Sequence, residues 1–366
     1  MKLKNILTIS FFGAVIFGFS AAGLLTHDKD YSMSERRSLA QMPEISADSL
    51  KSGRFMSDFE SWSLDQFPLR DAFRTVKTYT SRGVFRQKDN HGYYLEKGYI
   101  SKLEYPMNSD KLDIAADKLT DVYEKFIRDS GGNVYLSIIP DKNRFTAPYG
   151  GYPTMDYDNV AQTLSDRLDF AQYIDIYDTL ELDSFYRTDQ HWRQDRIIGT
   201  AQRLAEGMGA VINTDLTENK LETPFYGTYL RQSALLVPPD EITYLSSPEI
   251  QSCTVTGFDT GYPKALTVYD MEKAGGRDAY EMFLCGSQAV MTIENPAGDP
   301  EKKLIIFRDS FGSSITPLLI SGYSEITLVD LRYVQSGLLG QLIEFKDRDV
   351  LFLYSTLVIN NTISLS

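Results

Sequence analysis

The sequence predicts an α/β fold: a parallel sheet flanked by helices, preceded by an N-terminal membrane anchor. Three observations carry this. In the C-terminal part, short apolar strands alternate with helices: KLIIF (303–307), a helix from about 312, EITLVDL (325–331), a helix around 336–345, and DVLFLY (349–354). Nearly continuous apolar strands in such an alternation belong in a parallel sheet covered on both faces. Upstream, residues 111–128 place Leu112, Ala115, Leu119, Val122 and Phe126 at helical spacing; Gly131-Gly132 ends that helix and NVYLSIIP follows as an apolar strand. At the N-terminus, MKLKN precedes twenty residues without a charge, ILTISFFGAVIFGFSAAGLL. At 1.5 Å per residue that run spans roughly 30 Å, the thickness of a bilayer core.

The elements follow in chain order. Residues 1–26 are a signal anchor, or a signal peptide cut after Ser20-Ala21-Ala22, and their length favours the anchor. Lys2 and Lys4 put the N-terminus in the cytoplasm in both cases, so the chain beyond about residue 27 is exported. Residues 27–90 read as a polar stalk and two short amphipathic helices, with Phe55, Phe59, Trp62 and Leu64 at near-helical spacing until Pro68 breaks the run. Residues 91–366 form the main domain. There HGYYLEKGYI predicts a hairpin, QYIDIY (172–177) a strand, and 193–208 a helix with Ile197, Ile198, Ala201, Leu204 and Ala205 on one side. Residues 222–300, rich in Pro, Gly and Ser, predict an irregular insertion of short strands and loops.

Composition narrows the function. A hydrophobic share of 42% and a charged share of 24% in 366 residues are those of a globular protein. The net charge of -13 argues against sequence-independent nucleic-acid binding, which needs clustered Lys and Arg to displace counterions. Only Cys253 and Cys285 are present, either as a single disulfide or as two buried thiols. With three scattered histidines and no His-x-x-x-His or Cys-x-x-Cys, no metal centre and no cofactor is expected.

Sites in parallel sheets lie beyond the carboxyl ends of the strands. After KLIIF comes RDSFGSS, which sets Ser310 at a sharp strand-to-helix turn. There its hydroxyl projects from the sheet edge, and the unpaired N–H groups of the new helix can stabilise an oxyanion. The competing reading is that Asp309 or Ser310 only caps the helix. A serine nucleophile needs a base, and the base an orienting carboxylate. The stretch TDQHW offers His191 and Asp189, with Trp192 as a lid or wall; an exposed loop histidine beside a capping Asp189 is the alternative. Arg332 and Tyr333 follow EITLVDL and could hold an acyl oxygen or a sugar hydroxyl, while Lys142 and Asn143 follow NVYLSIIP and could line the rim.

Taken together, the Asp-x-His-Trp signature, the Asp-Ser turn after an apolar strand and the N-terminal anchor resemble the DHHW family. That family is similar to the SGNH-hydrolase-like domains of the AlgX/AlgJ alginate O-acetylation proteins. The match runs from YSMSERRSLAQMP and DQFPLRD to DSFGSSITPLL and VDLRY. The resemblance implies an SGNH-hydrolase-like domain with permuted motif order, the Asp-His pair preceding the serine. It implies Ser310 as nucleophile, His191 as base and Asp189 as its orienter. One departure is Gln190 at the second signature position; the working histidine of the family is the one before Trp, which His191 keeps. The implied activity is transfer of acetyl groups to a cell-surface polysaccharide through an acyl-serine, with a multi-spanning membrane O-acyltransferase as acetyl donor. A carbohydrate acetylesterase with the same triad, and a non-catalytic glycan-binding or assembly protein, are the alternatives.

Overall fold

The computed structural model describes residues 2–361 except 33, 34, 36 and 259–261. The chain divides into two compact units, one of residues 1–91 and 230–237, the other of residues 92–229 and 238–366.

The first unit holds α1 (Lys2–Leu25), α2 (Ala47–Lys51), α3 (Arg54–Asp65) and α4 (Arg70–Gly83). Helix α1 is long and apolar enough to cross a membrane, and none of its residues is buried. Three helices occupy 46–88 rather than two. Ser46 caps α2 through a reciprocal pair of bonds with Ser49, a start signal that needs no apolar periodicity. Pro68 separates α3 from α4 as expected. The described part of the stalk is fastened down: Asp28 accepts a hydrogen bond from Trp62 Nε1 at 2.7 Å, and Arg37 pairs with Asp65 through both terminal nitrogens.

The second unit is built on an eight-stranded sheet. In chain order its strands are β1 (Val134–Ile139), β2 (Gln172–Tyr173), β3 (Thr254–Gly257), β4 (Lys264–Leu266), β5 (Val290–Glu294), β6 (Lys303–Arg308), β7 (Glu325–Val329) and β8 (Asp349–Ser355). Their spatial order is β4-β3-β5-β7-β6-β8-β1-β2. Strands β7, β6, β8, β1 and β2 run parallel. Apolar runs such as Leu304–Phe307 and Val350–Tyr354 are fully buried, as strands covered on both faces must be. Helix α5 (Ser109–Val122) is capped by the Asn108 side chain, and residues 93–102 form the expected hairpin.

The sheet is mixed, and here the structure corrects the sequence reading. Residues 222–300, expected as an irregular insertion of short strands and loops, supply β3, β4 and β5 to the main sheet: β5 pairs antiparallel with β7, β3 with β5 and β4 with β3. These strands are three to five residues long and carry Thr and Gly among their apolar positions, too weak a pattern to read. The strand expected over 172–177 stops at Tyr173, because Asp175 folds back to accept the Tyr177 N–H at 2.9 Å and starts a turn. The helix expected around 336–345 shrinks to a 3₁₀ turn and the single turn Leu339–Leu342, with Gly337 and Gly340 lowering helical preference. Cys253 and Cys285 are free thiols.

Candidate active site

The carboxyl ends of the parallel strands bring several polar segments to one edge. Strand β6 ends at Arg308 and runs through Asp309 and Ser310 into α6 (Gly312–Leu319). Asp309 is fully buried and shapes the turn. Its Oδ1 accepts the Phe311 N–H at 2.9 Å and its Oδ2 the Ser355 N–H at 2.8 Å, joining the ends of β6 and β8. Asp309 is therefore the residue that fixes the turn, while the Ser310 hydroxyl is directed elsewhere. Gly312 allows the tight passage, since a Cβ there would lie 2.7 Å from Arg308 Cβ.

Ser310 Oγ lies 2.8 Å from His191 Nε2, across 119 residues of sequence. On the far side of the ring, His191 Nδ1 is 2.6 Å from Asp189 Oδ1. A carboxylate only accepts, so Nδ1 carries the proton and Nε2 is left to accept from the serine hydroxyl. The imidazole plane is fixed by stacking on Tyr280, with centroids 3.8 Å apart and planes 8° apart, and by Phe311 at 4.9 Å. The Tyr280 hydroxyl lies 2.8 Å from Ser314 Oγ and donates to the Ser310 carbonyl at 3.3 Å, which ties the ring support to the serine turn.

The loop carrying Asp189 and His191 is held from two sides. Its ends close as a bridge between Phe185 and Trp192, with Tyr186 N–H donating to the His191 carbonyl at 3.1 Å. Asp240 accepts the N–H groups of Arg187 and Thr188 at 3.0 and 2.7 Å. Lys142 donates from Nζ to the carbonyls of Tyr186 and Asp189, both at 2.7 Å. Burial pushes Lys142 down to about 7 against the pull of Asp240, Asp189 and Asp141. Asp189 is itself anchored: Oδ1 also accepts the His191 N–H at 3.1 Å, and Oδ2 accepts the Thr228 N–H at 2.7 Å.

Thr228 reaches Asp189 because residue 227 is glycine. A Cβ there would sit 2.4 Å from the Thr188 carbonyl oxygen and 2.5 Å from Asp189 Cβ. Gly227→Ala should therefore push the 227–228 backbone off Asp189, costing about 1–3 kcal/mol by overpacking. A thermal melt together with an ester-cleavage assay checks this, and the expected loss of activity exceeds what the fall in folded fraction explains.

The other expected residues divide. Trp192 is neither lid nor wall: it is fully buried, and its Nε1 donates to the Phe311 carbonyl at 3.1 Å and to Ser314 Oγ at 2.8 Å. A large ring with one donor is best placed in a core that offers an acceptor, and this one pins the serine turn. Lys142 and Asn143 are likewise buried rather than on a rim. Arg332 is engaged by Asp330, with Nε–Oδ1 at 2.9 Å and Nη2–Oδ2 at 2.7 Å. Tyr333 is exposed, with the Arg332 guanidinium 5.5 Å from its ring centroid. The sequence reading missed Thr228, Asp240 and Tyr280. They lie in the weakly patterned stretch, where only the isolated Gly227 between aromatic residues hinted at a close backbone approach.

No protein-family model and no curated protein matches the sequence. Solved structures do resemble it. A DHHW family protein from Eubacterium siraeum DSM 15702 superposes with a TM-score of 0.61 at 22% identity, covering 75% of this chain and 94% of that one. Bacillus cereus PatB1 gives a TM-score of 0.57 at 15% identity, covering 76% and 99%. PatB1 with a sulfonyl adduct gives 0.57 at 16%, covering 74% and 96%. The likeness to the DHHW family expected from the sequence thus holds in three dimensions, and the chain shares the fold of that DHHW family protein and of PatB1.

Proposed function

We propose that the protein is an exported, membrane-tethered O-acetyltransferase that acts through an acyl-serine. The observation that carries this reading is the unbroken series of contacts from Asp189 through His191 to Ser310. Ser310 Oγ attacks the carbonyl carbon of an acetyl ester while His191 Nε2 takes its proton. The leaving alcohol departs with that proton, and the acetyl group stays on Ser310. His191 then takes the proton of a polysaccharide hydroxyl, whose oxygen attacks the acyl-serine and returns Ser310 to its starting state. Asp189 holds the imidazolium formed in each half. The Ser310 N–H serves as one oxyanion donor. Arg332 and the exposed Tyr333 ring, at the end of the neighbouring strand, contact the acceptor sugar. A multi-spanning membrane O-acyltransferase supplies the acetyl group outside the cytoplasm, and α1 keeps the protein beside it.

Hydrolysis is the second reading, favoured by the partial exposure of Ser310, which lets water reach an acyl-serine. An activated acetyl ester supplied with and without an oligosaccharide separates the two. Acetylated sugar supports transfer, and acetate alone in the presence of sugar supports hydrolysis. Because PatB1 has been solved with a sulfonyl adduct, phenylmethylsulfonyl fluoride is an apt probe of an activated hydroxyl. It should add one sulfonyl group at Ser310, seen by peptide mass, and spare the Ser310→Ala protein; modification elsewhere alone would count against Ser310 as nucleophile.

A further inference from the structure

Helix α4 carries an apolar stripe that its own unit covers only in part, through Phe19 and Phe67 against Phe73. Leu69, which caps the helix, and Phe73 and Val76 within it, at i, i+4 and i+7, are 69%, 48% and 61% exposed. Thr78, on the opposite side of the helix, is the buried one. The polar side of the helix is basic: Arg70–Gly83 contains four Lys or Arg (Arg70, Arg74, Lys77 and Arg82) and one acid, in a chain of net charge -13. Arg70 and Arg74 reach Glu35, so this basic side is held in a defined orientation.

The contacts of α1 set the height of that stripe. Phe19 stacks on Phe67 with centroids 5.3 Å apart and meets Phe73 edge-on at 5.7 Å. Phe19 lies six residues before the end of α1 at Leu25, which is about 9 Å below the end of a membrane-crossing helix. Amphipathic helices lying in an interface bury their apolar face by roughly 5–10 Å, with Lys and Arg on the polar side.

We propose that the Leu69–Phe73–Val76 face of α4 is immersed in the outer leaflet of the membrane that α1 crosses. The lipid it meets has an anionic headgroup within reach of the flanking basic residues. The protein then has two membrane contacts, a spanning helix and an interfacial one, and the second fixes how the unit is tilted on the membrane. This rests on α1 being retained as an anchor.

The test uses the full chain in vesicles of phosphatidylethanolamine and phosphatidylglycerol, with added cysteines probed by a sulfonated maleimide. Leu69→Cys and Val76→Cys lie on the stripe. Asp71→Cys lies on another face of the same helix and shares its membrane orientation. The unsubstituted protein gives the background of Cys253 and Cys285. The stripe positions should react at least about tenfold more slowly than Asp71→Cys, and all three should react alike after denaturation. Equal rates in protein that stays with the vesicles after a carbonate wash would overturn the lipid contact alone. Release by carbonate would overturn the tethered reading as well. Protection in native membranes but not in pure lipid would assign the stripe to a membrane protein and overturn the proposal.

Discussion

Ser310→Ala should lower both acetyl transfer and ester hydrolysis by at least about three orders of magnitude while the protein stays folded. The reason is structural as much as chemical. Ser310 is only half-buried, and its Oγ is bonded to His191 Nε2, whereas the turn is shaped by Asp309 and by the Trp192 and Tyr280 contacts to Ser314 and its neighbours. Removing Oγ deletes one hydrogen bond, a loss of about 0.5–1.5 kcal/mol. Turnover of an activated acetyl ester and a thermal melt on the same preparation separate chemistry from stability. Normal surface acetylation in cells carrying a folded Ser310→Ala protein would sink the enzymatic reading and favour a glycan-binding or assembly role.

The second large effect belongs to Asp189→Asn, which should lower turnover by about three to four orders of magnitude. It should also cost more stability than the serine change. The carboxylate accepts at both oxygens, from His191 Nδ1 and N–H at Oδ1 and from the Thr228 N–H at Oδ2. An amide offers one accepting oxygen and one NH₂. With the NH₂ toward the imidazole, the ring must move its proton to Nε2 and can no longer take one from Ser310. With the NH₂ toward Thr228, two donors face each other in a buried site, at about 1–3 kcal/mol. Near-normal turnover in Asp189→Asn would remove the carboxylate from the relay. A melting temperature above that of Ser310→Ala would contradict its anchoring role.

The stability of the site is distributed in a way these two changes make visible. The serine hangs on a rigid strand-to-helix turn, so its side chain is dispensable for folding. The Asp-His loop has no secondary structure of its own beyond one bridge, and it is set by a carboxylate at 240, the buried Lys142 side chain and the close pass of residue 227. Irregular backbone can hold catalytic groups to a few tenths of an ångström only when its N–H and C=O groups are individually satisfied. Here Asp240 takes two of the loop's N–H groups and Lys142 two of its carbonyls.

What the sequence determined by itself was local or periodic. The apolar runs of β1, β6, β7 and β8 announced a parallel core, and the charge-free run at 6–25 announced α1. Ser310 could be named because it follows such a run directly, and His191 because histidines are so few. What only the tertiary structure decided was everything carried by contacts between distant stretches. The three antiparallel strands from 254–294 gain their stability from the partner they lie against rather than from their own pattern. Trp192, polar at one edge, was expected as a lid or wall of the site until Phe311 and Ser314, 119 and 122 residues away, were found against it in the core. A hydrogen bond across a hundred residues depends on where two stretches of the chain cross, and one-dimensional spacing carries no trace of that crossing.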